Sequence, residues 1–385
     1  MKNQILFATA VCAALFTSSC KKDETAPVKV PYTSLSNTSN YFETFKGIDG
    51  KTSVDLSAAT TRTAMVKEMD AYMKKGLTQN LEAQVLKNMF NNKNNAFTSA
   101  TLNSASDITI LSKLAESFGV DRTTEEQTFN SYFDGIALAS SQRSNVAAAG
   151  QAGLLDNKYL VNEKGFEYGQ FVQKGIIGAV LLDQVSNIYF GTVKQGADNK
   201  TLVSGKNYTQ LEHNWDEAYG SLTQNEYYPK KDPNDGTKWL ESYLGSYARQ
   251  VNSTTGGPEA IYMAFLTGRA AIANQDMSKR DEQISIIRTN LEKAIATIAV
   301  SYLNKTKTAT TDGAKFHALS EGYGFVYSLR FAYNAKINKA KSDELLNILG
   351  GKTNGFWSLT NGDLDNVRDQ IATTFGIDKS AEVNH

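Results

Sequence analysis

Apolar residues recur along most of this chain at intervals of three and four, the spacing that lays them on one face of an α-helix. Residues 61–75 place Met65, Met69, Tyr72 and Met73 on one such face, and the run stops at Gly76. The same period predicts helices over 79–91 and 107–118, with Asp107 as N-cap and Gly119 as stop for the latter. Thr123 with Glu126 resembles a capping box ahead of a helix over roughly 124–140.

Residues 141–165 are rich in Ala, Gly and Asn and read as a long connection. A helix over 166–190 then carries Gly175 and Gly178. Glycine inside a helix costs about 1 kcal/mol against alanine, so two on neighbouring turns predict close approach by another helix, with a cofactor contact as the alternative. Further helices are expected over 206–225, 237–251, 258–274, 279–304 and 313–337, with Pro258 at a first turn. Shorter ones are expected near 342–349 and 362–374. Strand-like alternation is nearly absent. The chain therefore reads as all-α, built of antiparallel helices in bundles, with two packed halves, 41–252 and 253–380, as one division.

The first forty residues break this pattern. Lys2 is followed by an apolar run from Ile5 to Phe16, then by Thr17-Ser18-Ser19 and Cys20. A positive start, a short apolar stretch and small residues before a cut describe a secretory signal over 1–19. The run is too short to span a bilayer as a mature helix. With cysteine after the small residues, the arrangement resembles the bacterial lipobox, which implies lipidation of Cys20. Thr17 stands where that pattern usually has leucine. Lys21-Lys22-Asp23-Glu24 resembles the signal that sends some lipoproteins to the outer face of the outer membrane; the periplasmic face is the alternative. Residues 20–40 have little to bury and read as a flexible, lipidated tether.

Composition narrows the chemistry. Forty basic residues balance forty acidic ones, and no basic run stands out, so a nucleic-acid partner has no support. The two cysteines are Cys12, in the signal, and Cys20, which leaves the body over 41–385 without thiols for a disulfide or a metal. Prolines past the tether are confined to Pro229, Pro233 and Pro258, in keeping with a helical body.

Two of the three histidines sit in the same local pattern. One segment reads His213-Asn214-Trp215-Asp216-Glu217-Ala218-Tyr219-Gly220 and the other His317-Ala318-Leu319-Ser320-Glu321-Gly322-Tyr323-Gly324. The shared form, His, three residues, Glu, a small residue, Tyr, Gly, suggests a local internal duplication. His and Glu four apart lie on one helical face, a turn from each other. Two readings follow. Each pair fills a polar slot between helices, an interaction worth about 0.2–0.5 kcal/mol on an exposed helix. Alternatively the pairs are ligands for iron or zinc, and His213, Glu217, His317 and Glu321 meet in one four-ligand site, with Asp216 as a further candidate.

Export, helical architecture and a His/Glu helix together make the chain resemble the imelysin-like proteins, whose motif is Gly-x-His-x-x-Glu. Here Leu211 and Asp216 stand at the Gly and Glu positions, and Glu217 comes one residue later. A closer resemblance is to a set of lipoproteins of roughly 400 residues and unknown function. These resemblances imply iron binding, or binding of an iron-containing ligand, beside an outer-membrane transporter. A metallopeptidase-like hydrolase is one alternative, although neither His-Glu-x-x-His nor Gly-x-Ser-x-Gly occurs. A purely structural or interaction lipoprotein is the other.

Overall fold

The computed structural model describes residues 27–251 and 257–383. The fold is all-α. The principal helices are α1 (Ser57–Lys74), α2 (Ala83–Phe90), α3 (Arg122–Ser141) and α4 (Tyr168–Ile176). They are followed by α5 (Gln210–Leu222), α6 (Tyr243–Arg249), α7 (Pro258–Ala273) and α8 (Met277–Thr308). The series closes with α9 (Asp312–Ser328), α10 (Lys339–Gly350) and α11 (Asn361–Phe375). α4 runs on without a break through the wide π-type turns Ile177–Leu182 and Gln184–Tyr189. No helix among the described residues is long and apolar enough to cross a membrane.

α7, α8 and α9 are joined by short loops and pack in sequence, as antiparallel neighbours do. α9 lies between α8 and α4, and α11 covers the other side of α8. α4 in turn packs on α3 and α1, while α5 sits against α1, α7 and the π-type end of α4. The expected close approach at α4 is present. A β-carbon on Gly178 would run into the backbone of Ser328 at the end of α9, and one on Gly324 of α9 would run into Lys174. These glycines bring two helix axes together where ordinary side chains would hold them apart.

Several elements depart from expectation. Residues 107–118 do not form a helix. Ala115 takes a left-handed conformation (φ 45°), and its N–H donates to the carbonyl of Ala179 at 2.6 Å. That tertiary bond bends the chain and leaves only tight turns at Leu111–Lys113 and Glu116–Asp121. Thr123 lies inside α3 and caps nothing, because the helix begins at Arg122. The 141–165 connection folds into an antiparallel hairpin, β1 (Gly153–Leu155) against β2 (Tyr159–Val161). Its turn uses Asp156 and Asn157 at φ 51° and 54°, a conformation these residue types tolerate. α6 is shorter than the expected helix over 237–251, and α9 gives way to a tight turn at Leu329–Phe331.

The tether is also shorter than expected. Asn274 clasps Val30 from both sides, its Oδ1 accepting from the Val30 N–H at 3.0 Å and its Nδ2 donating to the Val30 carbonyl at 2.7 Å. Tyr32 donates to Asp276 at 3.1 Å. Cys20 and the signal lie outside the described residues.

Candidate functional site

α5 begins with a capping box, whose Thr-x-x-Glu signature stands in the sequence at Thr209 and Glu212. The Thr209 hydroxyl accepts from the Glu212 N–H at 3.3 Å, and Glu212 accepts from the Thr209 N–H at 2.8 Å. One turn on, Asp216 is fully buried and shares with Glu212 a single buried cation, Arg269 of α7. The guanidinium donates to Glu212 at 2.5 Å, to Asp216 at 3.0 Å and to Ser53 at 3.1 Å. Tyr41 also donates to Asp216, at 2.9 Å. Burial pushes the Asp216 carboxyl up to about 7, with Arg269 pulling the other way. This network fastens the segment containing Tyr41 and Ser53 to α5 and α7. It also occupies Asp216 with a cation that a metal ion would have to displace.

The first His/Glu pair sits on the next face of α5. His213 is half-buried and stacks on Tyr208, with ring centroids 4.8 Å apart and planes 14° from parallel. Its Nδ1 has no hydrogen-bond partner among the described residues. Burial pushes its pKa down, against the smaller attraction of Glu217 and Asp55. Glu217 accepts from the Tyr189 hydroxyl at 2.9 Å through Oε2, while its Oε1 is buried without a hydrogen bond.

The second pair belongs to a more extensive row. His317 Nδ1 lies 2.7 Å from Glu167 Oε2, and its Nε2 lies 3.6 Å from Glu321 Oε2. The ring packs on Tyr159, with centroids 4.7 Å apart. Glu321 Oε1 lies 2.9 Å from the ammonium of Lys174, a lysine only 2% exposed. That ammonium also donates to Gln173 and sits 5.1 Å above the Tyr247 ring. Gln173 donates to Asp70 Oδ2 at 2.9 Å, and Tyr243 donates to the same oxygen at 2.7 Å. A continuous polar line thus runs from Glu167 through His317, Glu321, Lys174 and Gln173 to Asp70.

The charges along the row support one another. Burial alone would raise the Glu321 carboxyl, but Lys174 and His317 bring it below the usual range. Burial alone would lower His317, but the hydrogen bond and charge of Glu167, aided by Glu321, raise it. Asp70 is pushed up by burial, which outweighs the hydrogen bonds from Tyr243 and Gln173 and the pull of Lys174 and Lys74. Its Oδ1 has no hydrogen-bond partner among the described residues. Asp70 and Gln173 line two openings at once. One encloses about 90 Å³ beside Glu167, Gln170 and Lys158. The other, of about 260 Å³, lies beside Lys67, Tyr247 and Gln250.

The model of a domain of unknown function, DUF4856, matches residues 41–378. The chain belongs to the DUF4856 family. The match includes both His/Glu pairs and the whole polar row. No curated protein and no solved structure matches the chain.

Within this DUF4856 body the four expected ligands do not assemble into one site. Among the described residues, no three His, Cys, Asp or Glu side chains are grouped so as to hold a metal ion. The two pairs meet different neighbours: Tyr208 and Tyr189 for the first, Glu167 and Lys174 for the second. The free atoms of the first pair, His213 Nδ1 and Glu217 Oε1, make a two-donor set, short of the three or four protein ligands that hold zinc. The residues therefore do not fit an iron or zinc centre built from protein ligands.

The residues that organise the second pair were missed in the sequence. Lys174 did leave a trace, as a lone charge in the apolar run from Phe171 to Val180. Such a charge on a buried helix needs a partner. Glu167, Gln173 and Asp70 carry no local mark.

Proposed function

We propose that this DUF4856 protein is an exported, lipid-tethered binding protein that takes a small organic ligand rich in N–H or O–H donors at the Asp70 cleft. The observation that carries the reading is the set of buried acceptors there. Asp70 Oδ1, Gln170 Oε1 and Gln250 Oε1 all lack hydrogen bonds among the described residues, and all three residues line one or both openings. Leaving a buried acceptor unpaired costs about 1–3 kcal/mol, so a donor-bearing ligand has a ready source of affinity. Lys67, Lys74 and Lys158 around the openings disfavour a bare metal cation. Iron enters this reading only within an organic carrier. The lipobox-like Cys20, the Lys-Lys-Asp-Glu that follows it and the likeness to imelysin-like proteins support a place at the outer membrane, beside a transporter in nutrient uptake.

The test is a thermal-shift screen of the full mature chain against neutral polyols, amides, ferric chelates and free iron and zinc salts, repeated with Asp70→Asn. The expected result is stabilisation by an organic compound or chelate that Asp70→Asn abolishes. Stoichiometric iron or zinc that is lost on His213→Ala or His317→Ala would overturn the reading and restore the protein-ligated metal. For the tether, Cys20→Ala should abolish incorporation of labelled fatty acid.

A further inference from the structure

α9 presents a second face that none of the preceding argument uses. Tyr323 is two residues beyond Glu321, about 200° around the helix, and Tyr327 lies one turn further on the same side. These rings, with α10 and the first turns of α3, line an open cavity of about 360 Å³. That volume falls within the roughly 300–1,000 Å³ typical of small-molecule sites.

Glu125 of α3 forms part of the lining and is 1% exposed. Its Oε2 accepts from the Tyr327 hydroxyl at 2.5 Å. Its Oε1 has no hydrogen-bond partner among the described residues. The nearest cations stop short of it, Arg330 at 3.8 Å and Lys339 at 4.0 Å. Both are drawn toward Asp343 instead, at 2.6 and 2.8 Å. Arg330 is itself buried and lies 4.6 Å over the Tyr327 ring.

The arrangement selects a ligand by charge and shape. Two carboxylates balance two cations, so neither an anion nor a cation finds an unmatched partner. Glu125 would repel an anion, and the Arg330 guanidinium would oppose a cation. What remains unmet is one buried acceptor, in a wall built partly of Tyr132, Tyr323 and Tyr327. At Gly350 and Gly351 the wall carries no side chains. A hydroxyl donating to Glu125 Oε1, on a compact ring that fits the volume and brings no charge, satisfies the acceptor and the charge balance together.

We propose that this cavity is a binding site for a neutral cyclic polyhydroxyl compound, a monosaccharide or cyclitol unit, with Glu125 as its anchoring acceptor. The site is separate from the Asp70 cleft and does not depend on it.

The experiment is calorimetric titration of the full mature chain with D-glucose, D-galactose, N-acetyl-D-glucosamine and myo-inositol, with putrescine and acetate as charged probes. At least one neutral compound binds, and Glu125→Gln weakens it roughly tenfold or more. Thr128→Trp, at the half-exposed edge of the cavity, blocks it, which keeps the test open if Glu125→Gln does not fold. Asp70→Asn leaves it unchanged. The proposal is overturned if no neutral compound binds, if a charged probe binds more tightly, or if Thr128→Trp has no effect. Loss on Asp70→Asn in place of Glu125→Gln would assign the ligand to the other cleft. That outcome would sink this site while supporting the first one.

Discussion

His317 shares its Nδ1 with a carboxylate oxygen of Glu167 at 2.7 Å, whereas His213, at the matching position of the repeated pattern, offers its Nδ1 to no hydrogen-bond partner. One local sequence form has been put to two electrostatic uses. His317 titrates above the ordinary 6.5 and His213 below it. For His317 the folded state holds the proton more tightly. Its contribution to stability is complete below 6.5 and is lost as pH rises through the raised folded value. For His213 the contribution is present above 6.5 and is lost as pH falls through the lowered value. Two-dimensional NMR of the imidazoles should show the two titrations in that order, and Glu167→Gln should move only His317 downward. The reverse order would refute this account.

Lys174 and Glu321 form an ion pair whose side chains are 3% and 8% exposed. Removing one partner strands the other without water. Lys174→Met is expected to cost about 3–5 kcal/mol in urea denaturation, and Lys174→Met with Glu321→Leu to cost less than the sum of the single changes. Additive losses would mean that the pair is not coupled.

Two glycines on α4 should respond in opposite directions. At Gly178 a methyl group meets the backbone of Ser328, which cannot swing aside. Gly178→Ala should destabilise by about 1–3 kcal/mol. At Gly169 the same methyl meets nothing within 4 Å, so Gly169→Ala should be neutral or stabilise by about 0.4–1 kcal/mol. Thermal melts of the two variants decide the point, and equal shifts would argue against close helix contact at Gly178.

Arg269 is the sole cation bonded to both Glu212 and Asp216 among the described residues. Arg269→Met should cost about 3–5 kcal/mol at neutral pH. With a folded value of about 7 against an ordinary 3.8, Asp216 binds protons more readily when folded. Its contribution is therefore complete below 3.8 and is lost as pH rises through about 7. The Arg269→Met defect should accordingly be milder near pH 5 than near pH 8. Denaturation curves at both values test this.

The helices were legible wherever a long apolar period coincided with a stop or start residue, as at Gly76 after α1 and Pro258 at the head of α7. The failures have a common physical cause. Ala115 is bent by a bond to Ala179, 64 positions away, and no local pattern encodes that partner. The Asp156-Asn157 turn stands in the sequence between two short apolar runs, Leu154-Leu155 and Tyr159-Leu160-Val161, too short to mark strands by their period. The His/Glu repeat places its residues at matching positions on two helices, α5 and α9. What each pair does depends on Glu167, Lys174, Tyr189 and Tyr208, which are supplied from outside the repeated pattern. Shared spacing fixed which way the side chains face, and the neighbours fixed their chemistry.

The clasp of Asn274 on Val30 sets a length. Ten residue steps separate Cys20 from Val30. Even a fully drawn-out chain covers at most about 3.3–3.6 Å per residue, or roughly 35 Å in total. A lipid on Cys20 would thus keep Val30, and the body clasped to it, within roughly 35 Å of the bilayer. Its search would be confined to a thin shell above the membrane, where it meets neighbours anchored in the same surface far more often than anything in free solution.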